Sequence, residues 1–308
     1  MTRRRVLVLQ GGALHGLNSN AVIERVERLT GAGIMSQVDL CIGTSIGAIL
    51  TGGYAVGLTG TEMGELIVDN AGRIFGGGRW RWLRTLWGLR RPRYDYKPFL
   101  EVLDSLGGKR PLSGLTSKAV FRVYHNDWQC LFDGGLAGSG ILDAYAYARG
   151  LWPDDAIDLL VPHTVPKGFG GEVLYARGGD GLEGEEGTQD PTPVSTYIYG
   201  SSTMPTIHAP IGLGGLPCER AYGLVGWLRG GNIIWTILNA DNAEESTTLT
   251  RLLRPQDRMV STYPEEKIGG GDEAGDAGEI WRKAREYAEH DMEVVKMAML
   301  LVEGQVEV

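Results

Sequence analysis

The sequence predicts an α/β fold of three layers, α/β/α, around a mostly parallel central sheet. Residues 5–9, RVLVL, form a short apolar run closed by Gly11 and Gly12, and residues 21–29, AVIERVERL, then place apolar and charged residues at helical spacing. Residues 38–42, VDLCI, repeat the apolar run and lead into GTSIGAILTGGYAVGL, whose small and apolar residues suit a buried helix. Strand, turn and helix, taken twice before residue 60, open a sheet whose adjacent strands run parallel and are covered by helices.

The later elements follow from the same patterns. Residues 96–106 are amphipathic, 119–124 read as a strand, and Leu131, Phe132 and Asp133 lead into the turn Gly134-Gly135. A helix over 141–149 and a strand over 156–161 come next. Glycine, acid and proline dominate 165–193, which reads as a surface excursion holding one short strand at 173–175. Residues 194–199, VSTYIY, read as a strand followed by the loop GSSTMPTIHAP, and 269–276 as an acidic turn. One helix over 278–304 closes the chain, with Ile280, Ala284, Tyr287 and Ala288 recurring at helical spacing and Met292, Val295 and Met299 extending that face.

Of the 308 residues, 43% are hydrophobic and 22% charged, which places the chain among globular proteins and outside disordered or fibrous ones. The length is near that of two average domains, but α/β folds hold as much in one, so a single domain over 1–308 is expected. The 47 glycines exceed ordinary usage and point to turns and close backbone approaches.

The net charge of -8 argues against nucleic acid as a partner. Three cysteines, Cys41, Cys130 and Cys218, are too few for a disulfide scaffold and fit a reducing compartment. The arginines at 3–5 precede an apolar run too short for a secretion signal, and no run approaches the length of a spanning helix. The expectation is a cytoplasmic protein, with room for peripheral contact with a membrane.

The sharpest motif is Gly43-Thr44-Ser45-Ile46-Gly47, a G-x-S-x-G between strand and helix. A serine on such a tight turn is pushed out where substrate can reach it, and Gly43 and Gly47 let the backbone turn without Cβ collisions. The helix that follows aims free N–H groups toward negative charge developing on a substrate oxygen.

The second motif, Gly11-Gly12-Ala13-Leu14-His15-Gly16, also lies between strand and helix, and its small residues leave backbone N–H groups open as an anion nest. A phosphate cradle would want a Walker lysine or a complete G-x-G-x-x-G with a ribose-binding carboxylate, and these are absent. An oxyanion hole formed by Gly11, Gly12 and Ala13 fits better, because a serine emerges from the adjacent strand.

Together, LVLQGGALHGLNSNAVIERVERL and VDLCIGTSIGAILTGGYAVGL resemble the patatin-like phospholipases, whose pattern is a strand, G-G-G-x-[KR]-G, a helix, G-x-S-x-G and a later D-G-[GA]. Ala13 stands where the family has its third glycine, and His15 where it has lysine or arginine. The resemblance implies a patatin-like fold and a lipid acyl hydrolase of phospholipase A type. It implies a Ser-Asp dyad in which Ser45 attacks the acyl carbonyl and an aspartate takes its proton directly, with the glycine turn holding the oxyanion.

Two frames compete for the aspartate. Asp133-Gly134-Gly135, with a helix and strand after it, resembles the family's D-G-G and makes Asp133 the base. Alternatively, Gly200-Ser201-Ser202-Thr203-Met204-Pro205 resembles the S-S-x-x-P segment that precedes D-G-G in the family, and the frame it sets reaches Glu219 but no aspartate. An inactive binding or assembly protein, or a Ser-His-Asp esterase using His208, are the alternatives to the dyad. With no H-E-x-x-H and no cysteine pair, neither metal nor cofactor is expected.

Between Arg79 and Arg93 lie six arginines and three tryptophans, Trp80, Trp82 and Trp87, without an acid. Tryptophan favours the headgroup region and arginine meets anionic lipid phosphate. The stretch therefore reads as a docking element for a phospholipid or other acyl-ester substrate surface, or as packing against the core or a second copy in a homo-oligomer.

Overall fold

A computed structural model describes residues 2–74, 94–125, 130–133, 140–162, 173–177, 181–182, 192–202, 211–212, 253–262 and 277–303. The strands are β1 (Arg3–Leu9), β2 (Leu40–Gly43), β3 (Ala119–His125), β4 (Cys130–Asp133), β5 (Ala156–Val161), β6 (Val173–Arg177), β7 (Gly181–Leu182), β8 (Ile211–Gly212) and β9 (Arg258–Ser261). The helices are α1 (Gly16–Thr30), α2 (Ile34–Gln37), α3 (Ile46–Ala55), α4 (Gly60–Ile74), α5 (Tyr96–Leu103), α6 (Ile141–Leu151), α7 (Val194–Ser201), α8 (Ala277–His290) and α9 (Met292–Val302).

The strands form one sheet in the order β7-β6-β3-β2-β1-β5-β9, with β4 joined to β3 and to β8. The central pairs β3·β2, β2·β1, β1·β5 and β5·β9 are parallel. The pairs β3·β6, β3·β4, β4·β8 and β6·β7 are antiparallel.

Alternation along the strands divides the core between two faces. Leu7, Leu9, Cys41, Phe121 and Val123 belong to a core shared with α1, α3, α4, α5, α7, α8 and α9. Val6, Val8, Leu40, Ile42 and Val120 face the other way and pack with Ile141, Ala144, Tyr145 and Ala148 of α6. Handedness explains the split. The chain moves from β1 to β2 to β3 in one direction, so right-handed crossovers put α1 and α3 on the same face; the return to β5, beyond β1, reverses direction and puts α6 on the opposite face. Such a reversal opens a crevice at the carboxyl ends of the strands, where α/β proteins hold ligands. At the amino ends, buried Asp158 of β5 sits between Arg3 of β1 at 2.6 Å and Arg258 of β9 at 2.7 Å, tying the three strands together.

Two expectations need correction. Residues 194–199 are not a strand but part of α7, all of it buried. A short buried run cannot distinguish a helix from a strand, and this helix is buried all round because β3, β4, α3 and α5 surround it. The closing stretch is two helices, since Asp291 takes an extended backbone between them and its side chain accepts the Glu293 N–H at 2.8 Å. The short strand expected within 165–193 is β6, extended to Arg177, and it pairs along β3. Helix α4 and strand β9 lie in stretches where the sequence patterns predict no element.

Candidate active site

Parallel register brings the two glycine motifs together. Leu9 of β1 pairs with Gly43 of β2, so the chain reaches Gly11 and Ser45 two residues beyond a common row. Ser45 has φ 56° and ψ −127°, the only positive φ outside glycine among the described residues. That backbone is strained by about 1–3 kcal/mol and is the mark of a serine pushed out between strand and helix.

Hydrogen bonds and steric fit hold the turn. Thr44 donates its N–H to the Leu9 carbonyl at 2.9 Å, and the amides of Gly47 and Ala48 reach the carbonyls of Thr44 and Ser45 at 2.8 Å each. A Cβ on Gly47 would overlap the Leu9 carbonyl, and one on Gly43 would lie 2.7 Å from Cα of Ala48. Both motif glycines are thus required by the close approach of α3 to β1 and β2.

The turn after β1 crosses Ser45. A Cβ on Gly11 would lie 3.0 Å from Cβ and 3.7 Å from Oγ of Ser45, so the Gly11 backbone passes at contact distance. Gly12 has φ 137°, which side-chain-bearing residues rarely adopt. Ala13–His15 then make one 3-10 turn, closed by the His15 N–H donating to the Gly12 carbonyl at 3.0 Å, and α1 begins at Gly16 beneath Ile46.

Asp133 ends β4 on the edge of β3 that also carries β2. Strand β6 occupies the opposite edge, pairing with Val120 through Tyr124. Along the shared edge Phe121 pairs with Gly43 and Val123 pairs with Asp133. The Asp133 backbone therefore lies two rows past Gly43, about 7 Å along the strand direction. Residues 134–139, His208, Glu219 and the stretch 79–93 lie outside the described residues.

Sequence reasoning missed three residues beside Ser45. The Ser45 N–H donates to Ser201 Oγ at 3.0 Å, and Ser201 Oγ donates to the Arg122 carbonyl at 2.6 Å. Ser202 Oγ lies 2.9 Å from the Ser45 carbonyl and 2.8 Å from that of Ile198. Arg122 is fully buried on β3, in the row between those of Gly43 and Asp133, and its guanidinium meets Asp143 of α6 at 2.6 Å. The available signal is an arginine within the apolar run AVFRVY; in the sequence the two serines serve only as a spacing guide to the acid.

Cys41, just before the motif, is no rival nucleophile. Burial pushes its thiol up to about 12, despite the opposing hydrogen bond with Thr51. Among the described residues no group of His, Cys, Asp and Glu could hold a metal ion, and no helix is long and apolar enough to cross a membrane.

A strained serine between strand and helix, under a glycine turn at the carboxyl ends of parallel strands, defines an α/β protein of the serine-elbow class. A model of the patatin-like phospholipases matches residues 7–225, most of the chain, and the chain belongs to that family. It is 30% identical over 126 residues to a cGAMP-activated phospholipase of Escherichia coli strain TW11681, covering 38% of this chain and 35% of the relative. A cGAMP-activated phospholipase of Vibrio cholerae is 31% identical over 117 residues, covering 34% and 33%. A cUMP-AMP-activated phospholipase of Escherichia coli is 30% identical over 105 residues, covering 33% and 32%. The matched segments thus span about a third of the length of these relatives.

Proposed function

We propose that this protein is a lipid acyl hydrolase of phospholipase A type, working through Ser45 and Asp133. The observation that carries the reading is the strained Ser45 turn beneath Gly11, reinforced by the register that brings the Asp133 backbone to the edge holding Gly43. Ser45 Oγ attacks the ester carbonyl and its proton passes to the Asp133 carboxylate. The N–H groups of Gly11, Gly12 and Ala13 hold the oxyanion; removing one such donor from a hydrolase lowers kcat by about 10²–10³. Collapse expels the alcohol, lysophospholipid in this reading, which takes the proton from Asp133. Water then attacks the acyl-enzyme and gives a proton to Asp133, fatty acid leaves, and Ser45 recovers its proton. No step requires a metal or a cofactor.

Support for a phospholipid substrate comes from the family and the relatives' names. Those names also carry activation by cGAMP or cUMP-AMP, and we extend to this chain a requirement for a cyclic dinucleotide activator. The test is fatty-acid release from phospholipid vesicles, with and without each dinucleotide, by the parent and by Ser45→Ala. Release by the parent alone supports the reading. Equal release by the folded Ser45→Ala protein overturns the assignment of Ser45, and parent release indifferent to both dinucleotides overturns the activator requirement.

A further inference from the structure

The peptide groups of Ser45 are held on both sides by consecutive hydroxyls from the carboxyl end of α7. Ser201 takes the Ser45 N–H at 3.0 Å, and Ser202 lies 2.9 Å from the Ser45 carbonyl, sharing its one proton between that carbonyl and the Ile198 carbonyl at 2.8 Å. The Ser201 hydroxyl has one proton, which is committed to the Arg122 carbonyl at 2.6 Å, so a lone pair faces the Ser45 amide. Ser201 is fully buried, hence water is not at hand to replace it. Arg122 in turn is anchored from the far side: its guanidinium reaches Asp143, and a Cβ on Gly140 would lie 3.1 Å from its Cδ. Gly140 and Asp143 open α6, the helix entered after the segment that begins at Asp133. One buried residue therefore supports both the Ser45 turn, through its backbone, and the start of α6, through its side chain.

We propose that Ser201 and Ser202 are positioning residues that hold Ser45 in its strained turn, and that Arg122 joins this clamp to the start of α6. The role rests on the reading of Ser45 as nucleophile only for its effect on rate; the clamp on the backbone stands apart from it. A turn held at positive φ relaxes when its restraints are removed, and relaxation swings Oγ away from the Gly11 turn. Ser201→Ala removes the acceptor for the Ser45 amide and the donor to Arg122 at once.

The experiment uses the full chain and three variants, Ser201→Ala, Ser202→Ala and Ser202→Thr. Thermal melting establishes that each is folded, and half-buried Ser202 gives a second route should Ser201→Ala not fold. Two quantities are then read: hydrogen exchange of the segment 43–48, and the rate at which a fluorophosphonate probe modifies Ser45. The clamp predicts faster exchange in both alanine variants, and phosphonylation slowed at least about tenfold, since small misplacements of a reacting group carry penalties of that size. With a soluble short-chain ester, kcat should fall while KM stays within about twofold, and Ser202→Thr should recover the rate lost in Ser202→Ala. Unchanged exchange in folded alanine variants, or unchanged phosphonylation, overturns the clamp. A parent that shows no phosphonylation overturns the nucleophile instead, and the exchange measurement still decides the clamp.

Discussion

Gly11 and Ser45 meet so closely that a methyl group on Gly11 would sit 3.0 Å from Cβ of Ser45. The contact follows from the parallel pairing of Leu9 with Gly43, which delivers both turns to the same end of the sheet. Gly11→Ala should therefore displace the oxyanion turn while leaving the core intact. The expected result is kcat on a soluble ester lowered about 10- to 100-fold with a melting temperature close to the parent's. Parental kcat in the variant would remove Gly11 from the oxyanion site.

Gly47 is a position where stability fails before chemistry. Its added Cβ would meet the Leu9 carbonyl, a backbone group fixed in the β1·β2 ladder that cannot yield. Gly47→Ala should lose about 3 kcal/mol or more, read as a lowered urea midpoint. A midpoint within experimental scatter of the parent's would show that α3 lies further from β1 than described.

Cys41 should be silent to alkylating reagents in the native protein. With its thiol pushed up to about 12, the thiolate at pH 8 is about one part in ten thousand. The folded pKa is raised above the ordinary 9.0, so the stability contributed by the neutral thiol is full below pH 9 and is lost as pH rises toward about 12. Iodoacetamide at pH 8, followed by peptide mass spectrometry, should modify Cys41 only after denaturation. Rapid native modification would contradict its burial.

The arginine and tryptophan stretch predicts binding to anionic surfaces. Replacing the six arginines between 79 and 93 should weaken binding to anionic vesicles more than to neutral ones and leave soluble ester turnover unchanged. Added salt should imitate the replacement, because exposed charges are screened. Failure of the parent to bind either vesicle at low salt would end the docking reading.

What could be read from the sequence was what local sterics write into it. Strands β1 and β2 with the glycine motifs after them were legible because a tight strand-to-helix turn leaves few residue choices, and the layered fold followed from their repetition. Helix α7 was misread because a segment buried on every side carries no periodicity. The Ser201 and Ser202 contacts were not legible at all, since they join residues 156 and 157 positions apart through hydroxyls common anywhere on a surface. Asp133 lies between these cases: the D-G-G pattern singles it out, and the place of its backbone two rows past Gly43 on one edge of β3 needed the strand register.

Activation of Ser45 by an aspartate rather than by a histidine is read from kcat of Asp133→Asn on a soluble ester beside Glu219→Gln and His208→Ala. The amide keeps the shape of the side chain and deletes the base. Loss of about 10³-fold or more in Asp133→Asn, with most activity kept in the other two, is the predicted result. Inactivation by His208→Ala with Asp133→Asn still active would contradict the dyad and make the protein a histidine-dependent esterase.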